Sequence, residues 1–302
     1  MFHGSIPALI TPFQNGEIDM KAFADFVEWQ VQSGSHGVVP CGTTGESPVL
    51  DDEEYQSIFA MTVSVVKGRI PVIAGTGSNC TRKTIKMTKI AKECGVDAAL
   101  IVVPYYNRPT QDGLYAHYKA IHDATDLPII IYNVPSRCGT EIAVETILKC
   151  AELPRIVGLK DATSDTSRAT QIKSVVKSNF CVLSGEDALA GAFLAQGADG
   201  CISVTANIAP KECSDFQNAW QAKNMEQFMA IQSQLMPIHK ALFIESSPAP
   251  VKYAASVLGL CRDEVRLPLV PASPKAREVV LEAMRQSGLI KQTEHGKRHA
   301  HG

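Results

Sequence analysis

The chain has 302 residues, 45% hydrophobic and 20% charged, an ordinary balance for a globular protein with a sizeable core. Twenty-nine basic residues stand against 31 acidic ones, a net charge of −2, which leaves no electrostatic footprint for nucleic acid or an anionic membrane. No apolar run reaches membrane-spanning length and Met1 leads almost at once into a strand, so neither a membrane span nor a cleaved secretory signal is expected.

From Ile6 to about Thr205, apolar strand-like runs alternate with amphipathic helical segments. The predicted strands cover about 4–13, 36–42, 70–76, 97–104, 128–134, 156–161, 180–185 and 200–205. Between them the spacing predicts helices near 19–33, 51–67, 80–94, 111–124, 143–151, 165–177 and 187–196. The second helix opens on Asp51-Asp52-Glu53-Glu54, which suits the positive end of a helix dipole. Gly34, Gly68, Gly95 and Gly197 stand where helices stop.

Eight strands in strict alternation with helices predict an α/β fold, a (β/α)8 TIM barrel. An open doubly wound sheet is the rival. No G-x-G-x-x-G turn follows the first strand, however, and the strand count matches closure. Beyond Ala209 only helices are predicted, near 210–222, 224–243, 249–258 and 271–288. The expected organisation is therefore a catalytic barrel over 1–208, a helical region over 209–290 packed on it, and a polar tail over 291–302. His295, His299 and His301 in that tail read as solvated rather than as a metal site.

The nine cysteines are scattered with no C-x-x-C pair, and most lie in apolar runs, as small core residues of a reducing compartment do. A cytoplasmic protein is expected. Cys41 and Cys138 flank polar segments, but neither has an evident histidine partner. The histidines at 3, 36, 117, 122 and 239 show neither H-x-H nor H-E-x-x-H spacing. With no nucleotide fingerprint either, no metal or other cofactor is expected.

Lys160 closes the apolar run Ile156-Val157-Gly158-Leu159-Lys160, which reads as a buried parallel strand. A lysine belongs there only at the strand end, facing a cavity. In such a place loss of water favours the uncharged amine, a nucleophile for carbonyl carbons. The bland alternative is a lysine that snorkels its ammonium to solvent. The preceding run, Pro128 to Val134, carries Tyr132 at its end and Arg137 just beyond. Tyr132 and Lys160 are 28 positions apart (160 minus 132), about one strand–helix–strand repeat, so a phenol and an amine are expected at one end of the sheet.

Active groups of such barrels gather at the C-terminal strand ends. The second strand ends in Gly42-Thr43-Thr44-Gly45-Glu46-Ser47, where glycines let amides and hydroxyls close on a small carboxylate; a helix-capping turn reads equally well. Tyr105-Tyr106 could be packing aromatics, and Arg137 a surface ion-pair partner. An amine nucleophile with phenol and hydroxyl proton carriers nevertheless points to Schiff-base chemistry on a carbonyl compound.

Four segments, Gly42 to Ser47, Tyr105-Tyr106-Asn107-Arg108-Pro109, Tyr132 to Arg137 and Gly158-Leu159-Lys160-Asp161-Ala162-Thr163, resemble the dihydrodipicolinate synthase family of pyruvate-dependent Schiff-base lyases. The likeness runs over about residues 3–290. It implies that Lys160 forms an imine with pyruvate, whose enamine adds to L-aspartate 4-semialdehyde and gives 4-hydroxy-tetrahydrodipicolinate, on the way to diaminopimelate and lysine. By the same likeness Tyr132, Thr43 and Tyr106 form a proton relay, with Tyr106 reaching into a neighbouring subunit of a homotetramer built as a dimer of dimers. Thr44 would hold the pyruvate carboxylate and Arg137 the semialdehyde carboxylate, while Gly185 and Ile202 line the pyruvate pocket. A regulatory lysine site of the family would map near Ser47, Pro48, Asp52, Tyr55, Asn79, Lys83 and Tyr105. Some relatives carry a glutamate where Lys83 stands, and a cation there implies weak or absent lysine inhibition. Two other readings stay open: a different pyruvate-dependent aldolase or lyase acting on a 2-oxo sugar acid or hydroxy-oxo acid, and a catalytically inactive oxo-acid sensor.

Overall fold

A computed structural model describes residues 2–291; His295, His299 and His301 of the expected tail lie outside the described residues. The first strand, β1 (Gly4–Pro7), is followed by a hairpin of β2 (Phe13–Gln14) and β3 (Glu17–Ile18), then α1 (Met20–Gln32) and α2 (Asp52–Val66). Next come β4 (Ile73–Gly75), α3 (Thr81–Glu93), β5 (Ala98–Val102), α4 (Gln111–Ala124) and β6 (Ile129–Asn133). A single turn, α5 (Pro135–Cys138), precedes α6 (Val144–Ala151), β7 (Ile156–Asp161), α7 (Ser167–Lys173), β8 (Cys181–Ser184), α8 (Ala190–Ala195) and β9 (Gly200–Ser203). Four helices follow among the described residues: α9 (Pro210–Gln221), α10 (Met225–Ala241), α11 (Ala249–Val257) and α12 (Pro274–Gln286).

Seven parallel strands run in the order β1-β9-β8-β7-β6-β5-β4, and residues 38–39 bridge the two ends. On one side the Val39 N–H donates to the Pro7 carbonyl and the Leu9 N–H to the Val39 carbonyl, both at 2.9 Å. On the other, the Val38 N–H donates to Pro71 (3.0 Å) and the Ile73 N–H to Val38 (2.9 Å), so the ring of hydrogen bonds closes into the barrel. The strand expected at 36–42 shrinks to these bridges because Pro40 has no N–H for the ladder and Cys41 takes a left-handed φ of 54°. The strand expected at 4–13 stops at Pro7, and its end becomes the hairpin, whose turn holds Asn15 and Gly16 at φ 56° and 85°. That Asn-Gly pair is a hairpin signal legible in the sequence.

Strands β6 and β7 show why apolar runs predict buried parallel strands: Ile129, Ile130 and Ile131 are wholly buried although they point alternately to the two faces. Helix α2 starts where its acidic cluster predicts. Asp51 accepts from the Glu54 N–H at 2.8 Å, and the Glu54 carboxylate accepts from the Asp51 N–H at 3.0 Å, a reciprocal capping box. The four glycines expected at helix ends all have positive φ. Helix α9 packs against β1, and α10 in turn packs on α9 and α12. Among the described residues no helix is long and apolar enough to cross a membrane.

Within the wall of helices, α3 and α4 are pinned by a 2.9 Å hydrogen bond between the Thr81 hydroxyl and His117 Nδ1. Burial lowers the His117 imidazole to about 4. In the unfolded chain the ring titrates near 6.5, so on acidification the unfolded state binds the proton first. Stability is therefore retained above about pH 6.5 and falls as pH drops toward 4, by up to roughly 3 kcal/mol. Melting curves between pH 7 and 4.5 should fall less steeply for His117→Gln than for the parent; parallel acid limbs would contradict this assignment.

Candidate active site

The parallel register decides which side chains meet at the C-terminal end of the barrel. Ile129 pairs with Ile156, but Ile130 pairs with Gly158, so Val157 is an extra residue in β7. This bulge brings Lys160, rather than Leu159, beside Tyr132, and Asp161 beside Asn133. Lys160 Nζ then lies over the Tyr132 ring, 4.0 Å from its centroid, and the two residues are 6% and 7% exposed. The lysine does not snorkel to open solvent.

The strand ends are held by a buried polar network. Asp161, with no exposed surface, accepts from Asn133 Nδ2 (3.2 Å), the Thr163 N–H (3.1 Å) and Arg168 Nε (2.8 Å). Arg168 also donates to the Ile142 carbonyl at 2.9 Å, tying the loop after α5 to β7. The carboxylate thus braces the strand that bears Tyr132 and the one that bears Lys160. Asp187 does similar work at the next strand end, accepting from the Ser203 hydroxyl (2.5 Å) and the Val204 and Thr205 N–H groups (2.8 and 3.1 Å).

Lys160 opens into a cavity of about 490 Å³. Its wall brings together six of the expected residues: Lys160, Tyr132, Thr43, Thr44, Arg137 and Gly185. Thr43 begins a 3-10 turn, Thr43–Gly45, held to the segment between β1 and β2 by the Thr11 hydroxyl, which donates to the Gly45 carbonyl at 2.7 Å. Arg137 stands on the short turn α5, just beyond the strand as expected, where Pro135 occupies the first helical position. Ile202 is 1% exposed, pairs with Ile6 in the sheet and does not reach the cavity wall. Tyr106 is 89% exposed with a left-handed φ of 72°, and it too stands outside the cavity of its own chain.

A second hollow of about 260 Å³ adjoins the first and shares Thr43, Val134 and Arg137 with it. Ser47, Pro48, Tyr55, Lys83 and Tyr105 line it. Asn79 and Asp52 do not: the Asn79 carbonyl accepts from Asn107 Nδ2 at 2.9 Å, and Asp52 pairs with Lys86 at 2.5 Å.

Two contributors were not read from the sequence. Glu186 lines the same cavity as Lys160, and burial together with the charge of Asp187 raises its carboxyl above the ordinary value, with Lys160 opposing. The segment from Phe243 to Ser247, between α10 and α11, closes the cavity from the helical region. It begins 83 positions after Lys160 (243 minus 160), outside the strand–helix repeat, and carries no motif that would mark it. Chemically, a buried amine beside a phenol, with hydroxyls and a guanidinium lining the same cavity, is equipped to bind a carboxylate-bearing carbonyl compound and exchange protons with it.

A sequence profile of the Dihydrodipicolinate synthetase family matches residues 1–287. The chain belongs to that family. A relative from Rhodospirillum centenum, named 4-hydroxy-tetrahydrodipicolinate synthase, is 56% identical over 290 residues, covering 96% of this chain and 100% of the relative. The crystal structure of dihydrodipicolinate synthase from Thermotoga maritima matches with a TM-score of 0.94 at 41% identity, over 96% of this chain and 100% of that one. That of the chloride-inhibited enzyme from Acinetobacter baumannii complexed with pyruvate matches at 0.93 and 44%, with the same coverage.

Gly185 shows how closely this family member packs around its amine. A Cβ built there would stand 2.8 Å from the Ala162 Cβ and 3.0 Å from the Lys160 Cε, too near for either to keep its place. Gly185→Ala should therefore displace the lysine stem by some tenths of an ångström, lower kcat/KM by about 10- to 100-fold and cost about 1–3 kcal/mol of stability. Steady-state kinetics beside a melting curve check this, and parent-like kinetics would show that the stem has room.

Proposed function

We propose that the chain condenses pyruvate with L-aspartate 4-semialdehyde to give 4-hydroxy-tetrahydrodipicolinate, feeding diaminopimelate and lysine synthesis. The observation that carries this reading is the buried Lys160 amine over the Tyr132 ring, in a cavity that Thr43, Thr44 and Arg137 also line. The Lys160 nitrogen adds to C2 of pyruvate, and one water leaves as the imine forms. Removal of a C3 proton gives an enamine, whose carbon attacks the aldehyde of the second substrate. The amine of that substrate then displaces Lys160 from the imine carbon, closing the ring and freeing the lysine. The lysine imine replaces any metal or other cofactor in this scheme.

Tyr132 and Thr43 carry protons between the reacting atoms and solvent in this proposal, with Tyr106 as the third member of the relay. The exposure of Tyr106 supports its service in a neighbouring subunit, within a homotetramer arranged as a dimer of dimers. Thr44 holds the pyruvate carboxylate, Arg137 the carboxylate of the semialdehyde. Gly185 and Ile202 shape the pyruvate end, Gly185 by its missing side chain and Ile202 from beneath the wall. The free cysteines suit a cytoplasmic location.

The test is borohydride reduction with pyruvate followed by peptide mapping, together with turnover assays on aspartate semialdehyde and on 2-oxo sugar acids. A pyruvate-derived adduct on Lys160 and turnover of the semialdehyde are expected. Cleavage of sugar acids alone would move the protein to an aldolase role, and binding without turnover would make it a sensor. For the regulatory positions Ser47, Asn79, Lys83 and Tyr105, the ammonium of Lys83 on the wall of the second hollow supports weak or absent inhibition by lysine, because like charges repel there. Initial rates should be unchanged at micromolar lysine; inhibition in that range would refute this.

A further inference from the structure

We propose that Lys252, on α11, is a positioning residue: through Glu46 it fixes the Thr43–Gly45 turn, so the helical region sets the geometry of the carboxylate-binding wall of the cavity. Glu46 follows that turn directly and its own backbone is left-handed, φ 57°, a conformation that a non-glycine residue keeps only when its surroundings hold it. The surroundings are specific. The Glu46 side chain is 1% exposed and that of Lys252 is not exposed at all, and Nζ stands 2.7 Å from Oε1. The other carboxylate oxygen accepts from the Arg266 N–H at 2.9 Å.

The clamp extends outward from this pair. Lys252 Nζ lies 4.2 Å and the Arg266 guanidinium carbon 4.4 Å from the centroid of the buried Phe13 ring. Arg266 donates to the Val49 carbonyl (3.1 Å) and to the Glu54 carboxylate on α2 (2.8 Å), holding the chain that leads from the turn into α2. Burial pulls the Lys252 ammonium below its ordinary value, and the Glu46 carboxylate opposes that pull.

A buried ion pair is a poor device for stability alone, since well-packed apolar residues of like volume often serve as well or better. What charge-assisted hydrogen bonds add is direction. Two donors on separate oxygens hold the Glu46 carboxylate in one orientation, and through it the backbone that aims Thr43 and Thr44. An apolar pair would fill the same space and leave that aim unspecified.

This inference rests on the imine-forming reading above, and its test separates the two. The double variant Glu46→Leu/Lys252→Met keeps the volume and removes both charges. Its melting temperature and circular dichroism are expected to stay close to those of the parent. Its KM for pyruvate should rise about tenfold and its kcat fall about tenfold, while KM for the semialdehyde, read by Arg137 on α5, stays within twofold. A well-folded double variant with parent-like kinetics, or with equal losses for both substrates, overturns the proposal. Should that variant fail to fold, Lys252→Arg keeps the charge but moves the donors, and the same pair of KM values decides the matter. The parent is measured in the same series, so a failure of the imine reading appears as an absence of trapping and turnover there, not as a difference between variants.

Discussion

Lys160→Arg is expected to lower kcat by on the order of 10⁴-fold or more and to abolish pyruvate trapping by borohydride, while the protein stays folded. Arginine keeps a positive charge over the Tyr132 ring but cannot give up its proton, so it offers no lone pair to a carbonyl carbon. The cavity of about 490 Å³ leaves space in front of the strand end for the longer side chain. Lys160→Ala removes charge and nucleophile together, and comparison of the two separates chemistry from electrostatics. If either variant retained more than about a tenth of parental activity, the covalent scheme would have to be abandoned.

Tyr132→Phe should lower kcat by about 10²- to 10⁴-fold, the range of a lost proton carrier, with a small change in pyruvate KM. The ring remains beneath the amine at the 4.0 Å seen here, and only the hydroxyl is removed. Single-turnover trapping at saturating pyruvate should still yield the Lys160 adduct, formed more slowly. Activity within threefold of the parent would show that the phenol packs against the lysine and moves no proton.

The parts of the site on the strand–helix repeat were open to reading from sequence. Lys160 stood out because a charged residue ended an apolar run, and Tyr132 because it ended the run before. Arg137, Thr43 and Thr44 followed from the rule that loops after barrel strands gather at one end, and all five line the cavity. The hairpin at Phe13–Ile18 carried an Asn-Gly signal that the long first strand concealed. Tyr106 was legible as a residue but not as a position. It is 89% exposed on a left-handed backbone, neither of which composition announces.

What the sequence determined by itself was periodicity: alternating runs that must be buried on both faces, glycine and acidic signals at helix ends, and from these a closed barrel with an amine and a phenol on adjacent strands. Periodicity is local, so it registers in the chain. The tertiary structure decided what depends on partners distant in sequence. The extra residue Val157 sets Lys160, and not Leu159, beside Tyr132. The segment Phe243–Ser247 closes the cavity, and Lys252 meets Glu46 across 206 positions of chain. Register and long-range pairing are fixed only when backbone hydrogen bonds and buried charges from separate segments are satisfied together, and no short window of residues contains both halves of such a contact.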